Sequence, residues 1–137
     1  MRPAAGAEPG DEALLRAFDN LSRRFDPVHG GFGSSVKFPT PHQLLFLLRY
    51  WRRTGETEAL VMVEATLRAM RRGGVYDHVG LGFHRYSTDA EWLLPHFEKM
   101  LYDQAMMVLA SSEALLATGK PEHERTVREV LAYVQRD

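Results

Sequence analysis

Five stretches of this sequence carry apolar side chains at the spacing of one helix face, and the connections between them are of two very different lengths. That rhythm constrains the fold more than any other feature. Leu14, Phe18, Leu21 and Phe25 form the first stripe, with Asp11 as its cap and Asp26-Pro27 as its stop. Thr40-Pro41 has the form of an N-cap followed by proline at the first helical position, and Leu44, Leu47, Leu48 and Trp51 follow up to Thr54-Gly55. A third helix is predicted from about Thr57 to Arg72, through Leu60, Val63, Leu67 and Met70, with Gly73 as its end. Pro95 is expected to open a fourth, carrying Leu101, Ala105, Val108, Leu115 and Leu116 to Gly119. Pro121 starts a fifth, striped by Val127, Val130, Leu131 and Val134. The chain is predicted to be all-α, a stack of antiparallel α-hairpins over residues 11–137, with residues 1–10 a flexible lead-in.

Helices two and three, and four and five, are joined by a few residues, which makes antiparallel neighbours. The joints Asp26–Thr40 and Gly73–Leu94 are long and glycine-rich. Alternate joints of an up-and-down series lie at the same end, so these two loops should share one face, at the N-terminal ends of helices two and four. Each opens with a glycine pair, Gly30-Gly31-Phe32 and Gly73-Gly74-Val75, 43 residues apart, which fits a helix-hairpin repeat. Within the second loop, Val75–Val79 and Phe83–Ser87 flank Gly80-Leu81-Gly82 and read as a small β-hairpin.

Composition removes several function classes. At 137 residues and 45% apolar content the chain can bury a core without disulfides, and it has no cysteine for thiol chemistry. A formal net charge of −1 with no basic arm gives no support to nucleic-acid binding. The longest apolar run, Leu44–Leu48, is far too short to span a membrane. The N-terminus lacks the apolar core of a signal peptide, so a cytoplasmic location is expected.

Chemistry-bearing side chains collect in the second loop and just beyond it. His84 or His96, partnered by Glu98 or Asp77, offers a general acid or base whose pKa can be tuned towards neutrality. His96 and Glu98 are placed at the start of helix four, with Tyr102 one turn on. Two carboxylates of this set offer glycosidic cleavage instead, which requires a defined separation. A metal site is a third reading, but His78 and His84 sit six apart in a loop and no helical ligand spacing appears, so no metal or other cofactor is expected. Against all three, Glu98 also suits a helix N-terminus through the dipole, and Asp77 suits a turn. The first loop lacks the phosphate-binding pattern and follows no strand. Phe32 and Phe38 read as anchors of a tight turn, and Lys37 either points at a ligand or supports the helix. Trp51, Met62, Met70, Met106 and Met107 read as core.

GGFGSSVKFPTP followed by GGVYDHVGLGFHRYSTDAEWLLPHFEKMLYDQA resembles the YyaL/spermatogenesis-associated family of thioredoxin-domain-containing proteins, over about Asp26–Met107. Leu81 departs from that pattern, where a glycine completes a run of three. The resemblance implies an (α/α) toroid of the six-hairpin type, similar to N-acylglucosamine 2-epimerases and six-hairpin glycosidases, preceded in the family by a thioredoxin-like domain that is not in this sequence. Five helices are too few to close such a ring, so the chain is expected to be a piece or a shortened relative, and self-association is expected to cover its open faces. The resemblance implies a sugar ligand, with His84, His96, Glu98 and Asp77 as catalytic candidates. Phe32, Lys37, His78, Arg85, Trp92 and Tyr102 are then candidates for binding, the tryptophan by stacking on a sugar face. The other class that fits is a non-catalytic module serving a thioredoxin-like domain or its client.

Overall fold

The computed structural model describes Gly6 and residues 9–137; most of the lead-in expected at 1–10 lies outside the described residues. Five helices form: α1 (Asp11–Arg24), α2 (Pro41–Thr54), α3 (Thr57–Arg72), α4 (Leu101–Thr118) and α5 (Pro121–Arg136). Acidic residues Asp11 and Glu12 open α1 and Arg23 and Arg24 close it, as the helix dipole favours. Asp11 is the first helical residue and not the cap; Gly10 holds that place, and the Asp11 carboxylate pairs with Arg53 at 2.6 Å. Gly55 and Gly119 end α2 and α4 in the left-handed conformation that glycine adopts without a Cβ clash.

The helix pair α2 and α4 lies side by side, with α3 packed on α2 and α5 on α4. Leu44, Leu47 and Leu48 of α2 meet Met62, Val63, Leu67 and Met70 of α3, and Met107, Ala110, Ala114 and Val130 continue the core into α4 and α5. The small side chains at 110 and 114 let the helices approach closely.

Helix α4 starts six residues later than Pro95 predicts. Pro95-His96 (β2) pairs antiparallel with Tyr86-Ser87 (β1), Tyr86 opposite His96 and Ser87 opposite Pro95. Arg85 N donates to Glu98 O and Glu98 N to His96 O, so residues 95–98 spend their backbone on the sheet and a tight turn. A proline tolerates an edge strand as readily as a first helical turn, and only the distant partner decides between them. The small hairpin before α4 is therefore present, but its ladder lies further along than expected. Over 75–87 the pairing is a single bridge, Tyr76 opposite Phe83.

The two long loops do share one end and are sewn together there. Lys37 and Ser87 exchange backbone hydrogen bonds of 3.0 and 2.8 Å, and Trp92 Nε1 donates to His29 O at 3.0 Å. They also repeat each other, in a register that the glycine pairs do not give. Phe25–Phe32 carries the same bonds as Tyr76–Phe83, 51 residues on: a bridge between the end aromatics, and an aspartate (Asp26, Asp77) whose carboxylate accepts the amides two and three residues later. A lysine closes each turn. Lys37 Nζ reaches Asp26 at 2.6 Å and Gly30 O at 2.9 Å; Lys99 Nζ reaches Asp77 at 2.7 Å and Leu81 O at 2.8 Å. Leu81 stands where the first loop has Gly30, and both hold positive φ, +68° and +70°.

Candidate ligand cleft

Sequence and topology bring polar and aromatic groups to the end where α2 and α4 begin. On the outer face of β1 and β2, Phe38, Tyr86 and His96 form a layered row. The Phe38 and Tyr86 ring centroids are 4.9 Å apart, and Tyr86 and His96 stack nearly parallel, also at 4.9 Å. His96 Nε2 lies 3.3 Å from Glu98 Oε2, and Arg85 lies 3.6 Å from the same oxygen. Glu98 thus joins the imidazole to the guanidinium, and all three side chains are solvent-accessible.

Beside this row lies a cleft of about 300 Å³ lined by Phe38, Pro39, Thr40, Pro41, His42, Arg85, Tyr102, Asp103 and Met106. Its walls combine aromatic and proline rings with the polar groups of Thr40, His42, Arg85, Tyr102 and Asp103, a mixture that suits a small-molecule site. Thr40, at its rim, is held at φ +42° with no side-chain capping bond. A threonine in that region is strained, and such residues gather at functional sites. Asp103 Oδ2 is buried and has no hydrogen-bond partner. Burial pushes this carboxyl up from its ordinary range; Arg85 opposes the shift and Glu98 adds to it.

His84 is buried beneath Phe97, which meets its ring edge-on at 5.2 Å, and its Nδ1 has no partner. Burial, with the charge of Lys99, lowers its pKa, so the ring is neutral at pH 7. The backbone of its neighbour Phe83 is held by Gln104, fully buried on α4, whose amide oxygen accepts Phe83 N at 2.8 Å and whose nitrogen donates to Phe83 O at 2.7 Å.

Several candidates lie elsewhere. Trp92 is 0% exposed, with its indole N–H committed to His29, so it presents no face for a sugar to stack on. Lys37 is 1% exposed and its ammonium is filled by Asp26, Gly30 and Ala90, which makes it a clamp between the loops. Phe32 is core. Asp77 gives both oxygens to its own turn and to Lys99, which hold its pKa far below the usual carboxylate range. His78 faces another groove, beside Arg71, Arg72 and Arg125. Of the residues that line the cleft, the sequence pointed to Arg85 and Tyr102 as site residues and passed over the rest, Phe38, His42 and Asp103 among them. Asp103 carried a usable signal, an acid beside Tyr102 in the first turn of a helix whose only other acid is Glu113. Among the described residues no three His, Asp or Glu side chains gather as a metal would require.

The architecture is that of part of an (α/α) toroid. Cellobiose 2-epimerase from Spirochaeta thermophila matches 92% of this chain with a TM-score of 0.78 at 20% identity, this chain covering 35% of it. D-mannose isomerase matches 97% with a TM-score of 0.69 at 14% identity, this chain covering 37% of it. At such identities the likeness is one of fold. No family model matches the sequence. Among curated proteins, human spermatogenesis-associated protein 20 is 46% identical over 125 residues, 88% of this chain. An uncharacterized protein of Caenorhabditis elegans is 35% identical over 132 residues. The chain belongs to the spermatogenesis-associated protein 20 family. It spans 16% of the human relative's length and 18% of the nematode one's.

Proposed function

We propose that the cleft at the N-terminal ends of α2 and α4 binds a sugar, and that in the whole protein it takes part in moving a proton at the carbon beside a sugar carbonyl. The observation that carries this reading is the shared Glu98 between His96 and Arg85, at the mouth of an aromatic-walled cleft on an epimerase-like scaffold. Glu98 Oε2, 3.3 Å from His96 Nε2, orients the imidazole as a proton acceptor. Arg85 supplies positive charge for an oxygen that becomes an enolate when the carbon loses its proton. The proton returns from the opposite face to give the epimer, so a second proton carrier is required. His84 is the candidate for it once it has taken a proton, since its lowered pKa makes the imidazolium a ready donor, and it returns to the neutral ring as the carbon is protonated. Phe38, Tyr86 and Tyr102 offer flat apolar surface to the ring.

The test is exchange of the C2 hydrogen of mannose or glucose in heavy water, followed by NMR, with the chain alone and within the full-length protein. Exchange above the buffer blank, lowered at least tenfold by His96→Ala and by His84→Ala, is expected; no exchange and no binding across a broad sugar panel removes the reading.

Self-association belongs to the same proposal. Leu101, Ala105, Leu109 and Leu116 run along the outside of α4, with Leu116 85% exposed, where an extended ring would place the next hairpin.

A further inference from the structure

We infer that Asp103 is the anchor of the cleft, accepting a hydrogen bond from a ligand hydroxyl, and that with Glu98 it sets a charge balance that admits uncharged sugars and turns away phosphorylated or acidic ones. The inference rests on the sugar reading of the cleft and adds the residue that selects among sugars.

Three observations on the cleft support it. Asp103 Oδ2 is buried and has no hydrogen-bond partner, in a wall that it shares with the apolar Phe38, Pro39, Pro41 and Met106. A buried acceptor left unpaired is costly, and one in the wall of a cleft is placed to take a hydrogen bond from a ligand's donor. Around it stand Arg85, also in the wall, and Glu98, within 3.6 Å of Arg85. One positive group against two carboxylates leaves a net charge of about −1 when the histidines are neutral, which repels a phosphate or carboxylate on the ligand. Arg85 and Asp103 together present a donor and an acceptor, the pair that a sugar's neighbouring hydroxyl groups match.

A group held unpaired for a ligand weakens the free fold. Burial of the Asp103 carboxylate penalises its charge, so the ionised group weakens the fold at neutral pH, and Asp103→Asn should raise the thermal midpoint of the free chain. That separates a binding role from a structural one, which would lower it.

The experiment is calorimetric titration of the unmodified chain and of Asp103→Asn with mannose, glucose and glucose 6-phosphate, beside their thermal midpoints. The expected result is binding of a neutral sugar by the unmodified chain, at least tenfold weaker glucose 6-phosphate, and at least tenfold weaker neutral sugar in an Asp103→Asn chain that melts higher. Equal neutral-sugar binding by both chains, equal or tighter phosphate-sugar binding, or a lower melting point for the variant overturns the role of Asp103 while leaving the sugar reading intact. No sugar binding by the unmodified chain overturns both.

Discussion

Burial of ionisable side chains makes this fold sensitive to acid in two steps. His84 and His123 are buried, and burial is the main cause that lowers both pKa values. A histidine lowered in the fold stays neutral while the unfolded chain takes up protons near pH 6.5, so its contribution is present above that pH and lost below it. The aspartates act lower. For Asp26, burial pushes the carboxyl up, but the Lys37 bond and the amides of His29 and Val28 outweigh it. For Asp77 the Lys99 bond dominates. Both are depressed, so their contribution is present above about pH 4 and lost as pH falls further. The melting temperature is expected to fall first between pH 6.5 and 5 and again below 4, and His123→Gln should flatten the first step. A melting temperature constant from pH 7 to 5 contradicts this. Leu81 offers a second residue-scale test. A left-handed residue with a Cβ costs about 1 kcal/mol, so Leu81→Gly should be more stable than Leu81→Ala, the reverse of the usual order. Chemical denaturation of the two variants decides it.

At the scale of elements, the loops are held by a few buried contacts that link them to the helices. Gln104 satisfies both backbone groups of Phe83 from within α4. Gln104→Ala leaves that amide and carbonyl unpaired and should cost about 2–3 kcal/mol, with loss of any His84-dependent activity. Gly74 is a second such point, because a Cβ there would meet Leu93 O at 2.0 Å. Gly74→Ala should cost about 1–3 kcal/mol and loosen the segment that carries β2. Equilibrium unfolding of both variants checks these figures, and unchanged midpoints contradict them. These contacts also mark where sequence stopped being informative. The spacing in α2 and α3 was legible because those helices are amphipathic and punctuated by proline or glycine. Helix α5 was legible in extent, but it buries His123, Thr126 and Val130 and leaves Leu131 and Val134 of the expected stripe exposed. The start of α4 was not legible, since Pro95 joins a strand whose partner is chosen by fold. Arg85, His96, Glu98 and Tyr102 were legible as reactive or polar types in one segment, and the structure puts Glu98 against both Arg85 and His96. Trp92 and Lys37 were misread for one reason: an aromatic ring and an ammonium suit a ligand, but each also fills a buried gap when its polar atom finds backbone oxygens.

For the whole molecule, α4 is apolar on two sides but only one is covered. Its inner side packs on α2 and α5, while Leu101, Leu109 and Leu116 remain open. The chain is expected to self-associate in light scattering at micromolar concentration, and Leu109→Glu with Leu116→Glu should return it to a monomer without lowering helix content. A monomer at all concentrations contradicts that expectation. The proposed ligand site is the cleft where α2 and α4 begin, and not the groove of Arg71, Arg72, His78 and Arg125. The most direct measurement is a map of backbone amide shifts by NMR as mannose is added. The account predicts shifts concentrated at Phe38–His42, Arg85–Tyr86, His96–Glu98 and Tyr102–Met106. Shifts centred on Arg71, Arg72 and Arg125, or none at any sugar concentration, would contradict it.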